Sequence, residues 1–456
     1  MYKIVLDGVE KTHEFEELIK VFLRPGQYEI LAGGEGDLVF SEKRDKNHLK
    51  KEIYLALREV TGLDPLWGIV TGIRPVKMTG ELIRKLKDPG KTRQMLEEYY
   101  CISKEKIDLV MDIYDYQAGI FGEPPQDGVG IYIGIPFCPS RCYYCSFTSN
   151  QAGKEEIRGY MSALHEEIDF VADLMEERGY WAESIYVGGG TPTTLDEDQL
   201  TELLHLVRNR LWCDRTKEFT LEAGRADTIT GKKLSIAKEA GVDRISINPQ
   251  TMKEDTLVRI GRGHDIQQVE EAYRMARETG FTAINMDIIA GLPGEDEMDF
   301  HRTLKGLIGL QPENITVHSL SVKRTSELAM EDREYHYKQA ETVSQMLKTA
   351  RTVLGKEGYR PYYLYRLKQM SGGQENTGYC KEGTAGLYNV RIMDEHQTII
   401  AMGAGGVSKV YYPEENRLER VPNVNNYKLY EERLSQMLDR KREGLNGGKK
   451  NADQCT

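Results

Sequence analysis

Three cysteines within eight positions are the residues most able to do chemistry in this sequence. The segment IPFCPSRCYYCSF places Cys138, Cys142 and Cys145 at the spacing C-x3-C-x2-C. Zinc sites usually take four ligands, commonly from two separated C-x2-C pairs, and the sequence has no second pair. Ferredoxin-type sites likewise supply a fourth cysteine. Three thiolates on one loop therefore predict a 4Fe-4S cluster with one iron open to an outside ligand.

An open iron suits S-adenosylmethionine (SAM), because the amino and carboxylate groups of SAM can chelate it. An electron from the cluster then cleaves a C–S bond of SAM and gives a 5′-deoxyadenosyl radical. The alternatives are a degenerate zinc loop or three unrelated buried thiols. The other four cysteines stand alone and are expected to be core or surface thiols: Cys101, Cys213, Cys380 and Cys455.

The cysteine loop follows a strand-like segment, IYIGI at 131–135, and the chain then alternates between strands and helices. This alternation implies right-handed crossovers and a parallel sheet with helices outside. Six such units are too few for a closed eight-stranded barrel, so we predict an α/β fold with a partial (β/α)6 barrel. The five later strands are SIYVGG (184–189), EFTLEA (218–223), DRISIN (243–248), AINMDIIAG (283–291) and NITVHSL (314–320).

Two smaller regions flank the predicted barrel. Short strands mixed with helices predict an N-terminal α+β domain, and the segment FGEPPQDGVG after it is typical of a linker. A C-terminal α+β extension, rich in Tyr and Gly, is expected to cover the substrate, with strands near 386–393 and 397–412. The polar end of the chain predicts a mobile tail. The predicted boundaries are 1–125 for the N-terminal domain, 126–356 for the barrel, 357–440 for the extension and 441–456 for the tail.

The bulk composition excludes several classes of protein. Hydrophobic residues make up 39% and charged residues 29%, which is a globular balance. The net charge of -11 argues against a general nucleic-acid binder, which needs a basic face. No apolar run approaches the length of a membrane span, and the N-terminus lacks the pattern of a signal peptide. We therefore expect a cytoplasmic protein.

Polar residues and glycines at the ends of the later strands are the next candidates. The triplet GGGTPTTL at 188–195 follows the second strand, and glycines there let the backbone approach a ligand closely, although a plain turn is the alternative. A polar side chain inside an apolar strand, such as Asp287, needs a partner because burying it unpaired is costly. The alternative for Asp287 is a structural hydrogen bond inside the barrel. The other candidates are Glu222, Gln250 and Arg262.

With these motifs the sequence resembles the oxygen-independent coproporphyrinogen III oxidase family of radical SAM proteins, and most closely its coproporphyrinogen dehydrogenase HemZ subgroup. The resemblance runs from Tyr132 to about residue 412, and WGIVTGIRPVK at 67–77 is similar to that subgroup alone. It implies that Tyr132 is a catalytic residue that lies beside SAM, although strand packing is an alternative role. The remaining SAM contacts that it implies are Gly189, Gly190, Thr191, Glu222, Gln250, Arg262 and Asp287.

The resemblance also implies a reaction and its partners. Family members decarboxylate two propionates of coproporphyrinogen III to give protoporphyrinogen IX, with electrons from a low-potential donor such as a flavodoxin or a ferredoxin. Aromatic rings stack on tetrapyrrole faces, and Arg or Lys pairs with propionates. In the block PYYLYRLKQMSGGQENTGYC, Arg366, Lys368 and Asn376 could serve in this way. An alternative is that this block simply packs onto the barrel mouth.

Three positions depart from the pattern of the decarboxylases. Phe147 stands where they carry a further cysteine, and Gly134 stands where they carry a histidine. The related heme-chaperone subgroup typically has His-Asn near the C-terminal block, where this chain has Tyr388-Asn389. Two functions therefore stay open, a decarboxylating oxidoreductase and a heme-binding trafficking protein. A radical SAM enzyme that degrades or methylates tetrapyrroles is a third.

Overall fold

The strands of the molecule form two sheets. The computed structural model describes residues 1–41, 45–72, 74–145, 149–323, 325–367 and 373–446. Within these residues the strands are β1 (Tyr2–Asp7), β2 (Tyr28–Leu31), β3 (Leu38–Ser41), β4 (Gly128–Ile135), β5 (Trp181–Gly189), β6 (Glu218–Glu222), β7 (Arg244–Ser246), β8 (Ala283–Ala290), β9 (Asn314–Ser319), β10 (Arg360–Tyr365), β11 (Asn376–Cys380), β12 (Ile399–Met402), β13 (Val407–Tyr412) and β14 (Arg417–Pro422).

Helices pack against both sheets. Over the described part of the chain they are α1 (His13–Phe22), α2 (Lys46–Thr61), α3 (Pro75–Leu86), α4 (Pro89–Gln94), α5 (Lys104–Ile120), α6 (Lys154–Glu177), α7 (Glu197–Arg210), α8 (Gly231–Glu239), α9 (Glu254–Arg259), α10 (Ile266–Glu278), α11 (Glu297–Leu310), α12 (Glu327–Glu331), α13 (Tyr335–Lys338), α14 (Ala340–Lys356), α15 (Leu387–Asp394), α16 (Tyr427–Glu432) and α17 (Leu434–Leu445).

The larger sheet contains the predicted barrel. Its strand order is β10-β11-β9-β8-β7-β6-β5-β4-β12-β13-β14, and β4 to β9 are parallel neighbours in sequence order. The partial (β/α)6 barrel is thereby confirmed. The extension adds β12 parallel to β4 at one side and β11 antiparallel to β9 at the other. The strands of the barrel are almost continuously buried, because helices cover their outer face and their inner face is enclosed within the barrel.

One predicted strand of the extension is wrong. Residues near 386–393 form α15, which lies against the N-terminal ends of β4, β5 and β6. Its first backbone N–H groups, those of Leu387 and Tyr388, donate to the Glu218 carboxylate at 2.7 and 3.1 Å. Arg391 ion-pairs with Glu183 at 3.0 Å, with both side chains buried. These tertiary contacts override the strand preference of Tyr, Val and Ile in this segment.

The N-terminal region has a core of its own and a second core that it shares with the extension. Strands β2, β1 and β3 form a parallel sheet that packs on α1 and α2. Helices α3 and α5 enclose a further apolar cluster that includes Leu364 of β10. The predicted domain boundaries stay predictions.

The mobile tail predicted at 441–456 is placed to start too early in the sequence. Residues 441–445 belong to α17, where the fully buried Lys441 ammonium lies 2.8 Å from the Glu167 carboxylate. Residues 447–456 of that prediction lie outside the described residues. No helix found among the described residues has the length and apolar character needed to cross a membrane.

Candidate active site

A cavity of about 760 Å³ opens inside the barrel. One side of it is formed by the C-terminal ends of β4 to β9 with the cysteine loop, and we call this side the strand-end wall. The other side is formed by β10, β11 and α15, and we call it the extension wall. The cavity brings together all eleven residues predicted for the cluster and SAM: Tyr132, Cys138, Cys142, Cys145, Gly189, Gly190, Thr191, Glu222, Gln250, Arg262 and Asp287.

The cysteine loop is held by backbone hydrogen bonds to its neighbours. The N–H of Cys138 donates to Asn150 O, and that of Tyr143 donates to Ile260 O, both at 3.0 Å. In the described residues no three His, Cys, Asp or Glu side chains converge closely enough to hold a single metal ion. The thiols of Cys138, Cys142 and Cys145 all line the cavity, where each could bind one iron of a cluster. Phe147 lies outside the described residues.

The glycine triplet packs directly on the cysteine loop. Gly189 has φ +117°, and a Cβ there would lie 2.9 Å from the backbone of Ile135. A Cβ on Gly190 would lie 2.6 Å from Phe137 O and 2.9 Å from Cys138 Sγ. Only glycine therefore allows this approach, which leaves backbone and the Thr191 hydroxyl beside the thiols.

Two half-buried carboxyl groups, those of Glu222 in β6 and Asp287 in β8, line the strand-end wall. Burial, followed by the negative charge of Asp287, raises the pKa of Glu222 to about 7. The Tyr186 hydroxyl donates to Glu222 at 3.3 Å. Burial alone would raise the pKa of Asp287, but hydrogen bonds from His318 and Asn285 outweigh it and hold that pKa below its ordinary value. The pair therefore contains one readily protonated acid and one carboxylate.

His318 is a cavity residue that the sequence analysis missed. Its Nε2 lies 3.4 Å from Asp287 Oδ2, and its Nδ1 lies 3.3 Å from the Tyr365 hydroxyl. It comes near the C-terminal end of β9, in NITVHSL, which is the position at which the other site residues were sought. Extending that search to the sixth strand would have found it.

Several buried polar atoms face the cavity without a protein partner. Gln250 has φ +69°, an uncommon conformation for a residue other than glycine, and its buried Oε1 has no hydrogen-bond partner. The guanidinium of Arg262 donates to Gly224 O and to the Tyr144 hydroxyl, both at 3.0 Å, and its Nε is unpaired. Unpaired buried groups are costly, so these atoms fit a polar ligand such as SAM.

Tyrosines form much of the remaining lining. The ring of Tyr186 stacks between Tyr132, at 6.2 Å, and Tyr388 of α15, at 4.8 Å between centroids. On the extension wall Tyr363 and Tyr365 lie parallel, 6.4 Å apart. These side chains give the cavity flat aromatic faces and hydroxyl groups.

The three candidate propionate contacts have different outcomes. Asn376 lines the cavity, and its Oδ1 accepts from the N–H of Ser319 at 2.7 Å. Arg366 does not line it. Its guanidinium turns away to donate to Val70 O and Gly373 O, because those carbonyls satisfy a buried cation that water cannot reach. Lys368 lies outside the described residues.

Comparison with known proteins identifies the family. The Radical SAM superfamily model matches residues 132–307. A Bacillus subtilis (strain 168) protein named oxygen-independent coproporphyrinogen-III oxidase-like protein HemZ is 38% identical over 406 residues, which cover 88% of this chain and 81% of that protein. The chain belongs to the oxygen-independent coproporphyrinogen III oxidase family of radical SAM proteins. Its cofactors are accordingly a 4Fe-4S cluster and SAM.

Other members of the family carry different names. The heme chaperone HemW of Bacillus subtilis (strain 168) is 36% identical over 194 residues, which cover 42% of this chain and 50% of HemW. The solved structure of the coproporphyrinogen III oxidase HemN from Escherichia coli matches with a TM-score of 0.56 and 21% identity, over 71% of this chain and 73% of HemN. That likeness shows a shared fold, and the family names span both oxidases and chaperones.

Proposed function

We propose that this protein is a radical SAM oxidoreductase that converts coproporphyrinogen III to protoporphyrinogen IX without oxygen. A hydrogen atom is removed from the β-carbon of a propionate, and the bond to the carboxylate carbon then breaks. CO2 leaves, one electron passes to an outside acceptor, and a vinyl double bond forms. Two propionates react in this way. The oxidase-like name of the HemZ relative supports this substrate.

One observation carries the proposal. The eleven residues predicted for the cluster and SAM share a single cavity with a wall of tyrosines. The polar strand-end wall suits a sulfonium nucleoside with amino, carboxylate and hydroxyl groups. The aromatic extension wall suits a large flat ring. A radical generated at one wall would meet a tetrapyrrole held at the other.

The strand-end residues have separable tasks in this proposal. Cys138, Cys142 and Cys145 would hold the cluster. Gly190 would offer backbone to the methionyl amino group. Asp287, the deprotonated acid of the half-buried pair, would accept from ribose hydroxyls. When bound, the cluster and SAM supply a carbon-centred oxidant that can remove hydrogen from an unactivated C–H bond.

The rest of the cavity would exclude water and aim one C–H bond at that oxidant. The stacked rings of Tyr186 and Tyr388 line the cavity, and burial raises the pKa of both hydroxyls far above the ordinary value. They therefore stay neutral donors. A low-potential electron donor, such as a flavodoxin or a ferredoxin, would supply the electron that starts each turnover.

The test is an anaerobic incubation of the reconstituted protein with SAM, a reductant and coproporphyrinogen III. We expect protoporphyrinogen IX and 5′-deoxyadenosine to form together. Deoxyadenosine without a vinyl product would contradict the proposal. Omission of SAM is the matched control, because it leaves the cluster and the tetrapyrrole in place.

A second candidate is a heme-binding trafficking protein without decarboxylase activity. The observation that favours it is His318, whose imidazole lines an aromatic cavity and lies beside a carboxylate, as iron-binding histidines commonly do. Gly134 is also consistent with it, because this position carries a histidine in the decarboxylases and a Cβ here would lie 3.3 Å from the Tyr132 ring. Stable heme binding that His318→Ala removes, with no tetrapyrrole turnover, would establish this candidate.

A further inference from the structure

The N-terminal motif WGIVTGIRPVK at 67–77 has no part in the site described above. It lies in the connection between α2 and α3, and α3 begins at its Pro75. None of its described residues lines the cavity. Nevertheless, its side chains and the carbonyl of Val70 contact the β10–β11 connection and the C-terminal end of α15.

The first contact fixes the start of β11. Trp67 Nε1 donates to Glu375 Oε2 at 2.9 Å, and the ammonium of Lys106 in α5 donates to Glu375 Oε1 at 2.5 Å. The Lys106 and Glu375 side chains are each 4% exposed. The carbonyl of Glu375 accepts from the Ser319 hydroxyl at 2.8 Å, and the next residue, Asn376, lines the cavity. A shift of Trp67 would therefore move Glu375 and, with it, the neighbouring cavity residue Asn376.

The second contact fixes the end of β10. The guanidinium of Arg366 lies 5.1 Å from the centroid of the Trp67 ring and donates to Val70 O. The same guanidinium donates to Gly373 O at 2.7 Å. Arg366 thereby joins the motif to both ends of the connection between β10 and β11. The neighbouring Tyr365 lines the cavity and contacts His318.

The third contact fixes the C-terminal end of α15. Arg74 Nε lies 3.2 Å from the carboxylate of Glu395, and Lys77 Nζ lies 3.6 Å from it. Burial opposes ionisation of Glu395, but the charges of Arg74 and Lys409 prevail and lower its pKa to about 2. A guanidinium nitrogen of Arg74 also contacts the sulfur of Met393, which lines the cavity.

We propose that Trp67 and Arg74 are positioning residues that set the size of the tetrapyrrole site from outside it. The proposal rests on the proposed function, because it takes a tetrapyrrole as the ligand of the extension wall. Trp67 holds the wall formed by β10 and β11, and Arg74 holds the wall formed by α15. Neither touches the residues predicted to bind SAM. Loosening either one changes tetrapyrrole binding and leaves SAM cleavage intact.

Conservative variants test this in the full-length, cluster-loaded protein. Trp67→Phe keeps the ring and removes the hydrogen bond to Glu375, and Arg74→Gln removes the ion pair with Glu395. The matched controls are Trp212→Phe and Arg208→Gln. Arg208 and Trp212 form a cation–π pair, with 3.2 Å from the guanidinium carbon to the ring centroid, and neither residue lines the cavity. If one motif variant does not fold, the other tests the opposite end of the same wall.

Two measurements are made under anaerobic conditions. The first is the dissociation constant of coproporphyrin III, the stable oxidised ring, from its fluorescence. The second is the 5′-deoxyadenosine formed with reductant in the absence of tetrapyrrole. Each motif variant should weaken coproporphyrin binding about tenfold. It should keep SAM cleavage within about twofold, and both controls should match the wild type.

Every outcome bears on the proposal. Unchanged coproporphyrin binding would overturn it, and so would a parallel loss of binding and SAM cleavage, because a merely stabilising role moves both. Absence of coproporphyrin binding in the wild type would overturn both this proposal and the tetrapyrrole function. If the wild type binds coproporphyrin but does not decarboxylate coproporphyrinogen, only the proposed function fails, and the variants still decide the positioning role.

Discussion

The two walls of the cavity are built in different ways. The strand-end wall comes from one continuous barrel, and its site residues sit at the ends of consecutive parallel strands, where the fold brings them together. The extension wall comes from β10, β11 and α15, which are held by side chains from the distant N-terminal region. The first wall is thus an intrinsic product of the barrel, and the second depends on contacts between parts far apart in sequence.

This difference separates two properties of the protein. Cofactor chemistry depends on local motifs at strand ends, which a short segment such as IPFCPSRCYYCSF carries by itself. The position of the extension wall depends on buried ion pairs such as that of Lys106 with Glu375. Changes at the first wall should therefore abolish chemistry, whereas changes at the second should alter stability and binding.

The largest expected effect lies at the strand-end wall. Cys142→Ala should remove one cluster ligand, and with it the brown chromophore, the bound iron and SAM cleavage. Absorbance and iron content of the anaerobically reconstituted protein measure this. Cys213→Ala, a half-buried thiol that does not line the cavity, is the control and should retain both. A colourless, zinc-loaded wild type would contradict the cluster.

The next largest effect should come from Lys106 of α5, which supports the extension wall through its ion pair with Glu375. Lys106→Met leaves the Glu375 carboxylate buried without its cation, so the free energy of unfolding should fall by about 3–5 kcal/mol while iron content stays the same. Lys104→Met, at a side chain that is 83% exposed, should change it by less than about 0.5 kcal/mol. Denaturant unfolding checks both. Loss of iron together with stability would show that the two walls are not separable.

A pH-dependent effect should follow from Glu222. Its pKa of about 7 in the folded protein lies above the ordinary 4.5, so the folded state holds a proton that the unfolded state releases. The free energy of unfolding therefore falls as pH rises from 4.5 to about 7, and above pH 7 the whole destabilisation from ionising Glu222 is present. Glu222→Gln should remove this cost and stabilise the SAM-free protein by about 2–3 kcal/mol at pH 8.

Glu222→Gln should not raise the free energy of unfolding near pH 4.5, where the wild-type Glu222 carboxyl is already protonated. Unfolding free energies at the two pH values measure the difference. The exposed Glu239→Gln is the control and should show no such pH dependence. An equal gain at both pH values would mean that the amide packs better and that titration of Glu222 is not the cause.

The smallest effect should come from a single ring of the extension wall. Tyr388→Leu removes the stacking on Tyr186 and one aromatic surface, so coproporphyrin binding should weaken about fivefold. Fluorescence titration measures this, and Tyr411→Leu, outside the cavity, is the control. A larger change in SAM cleavage than in coproporphyrin binding would reverse the assignment of the two walls.

Sequence reasoning reached the strand-end wall because its rules are local. Gly189 and Asp287 are marked by their place at or inside a strand, and parallel strands bring such places to one end of a barrel. The extension wall followed no such rule. Arg366 donates to the carbonyl of Val70, 296 positions earlier in the chain. Helix α15 is helical because Glu218 and Glu183 satisfy its polar groups. The spacing of residues along the sequence does not predict contacts between side chains that are hundreds of positions apart.

The position of α15 has a consequence for how this scaffold can diversify. The helix closes the barrel at the end opposite the cysteine loop, where Leu387 and Tyr388 are anchored to the start of β6. Its length and side chains thus set how far a bound molecule can extend into the barrel, while the cysteines at the other end stay unchanged. An exchange of this eight-residue helix would alter the size of the accepted molecule independently of the radical chemistry.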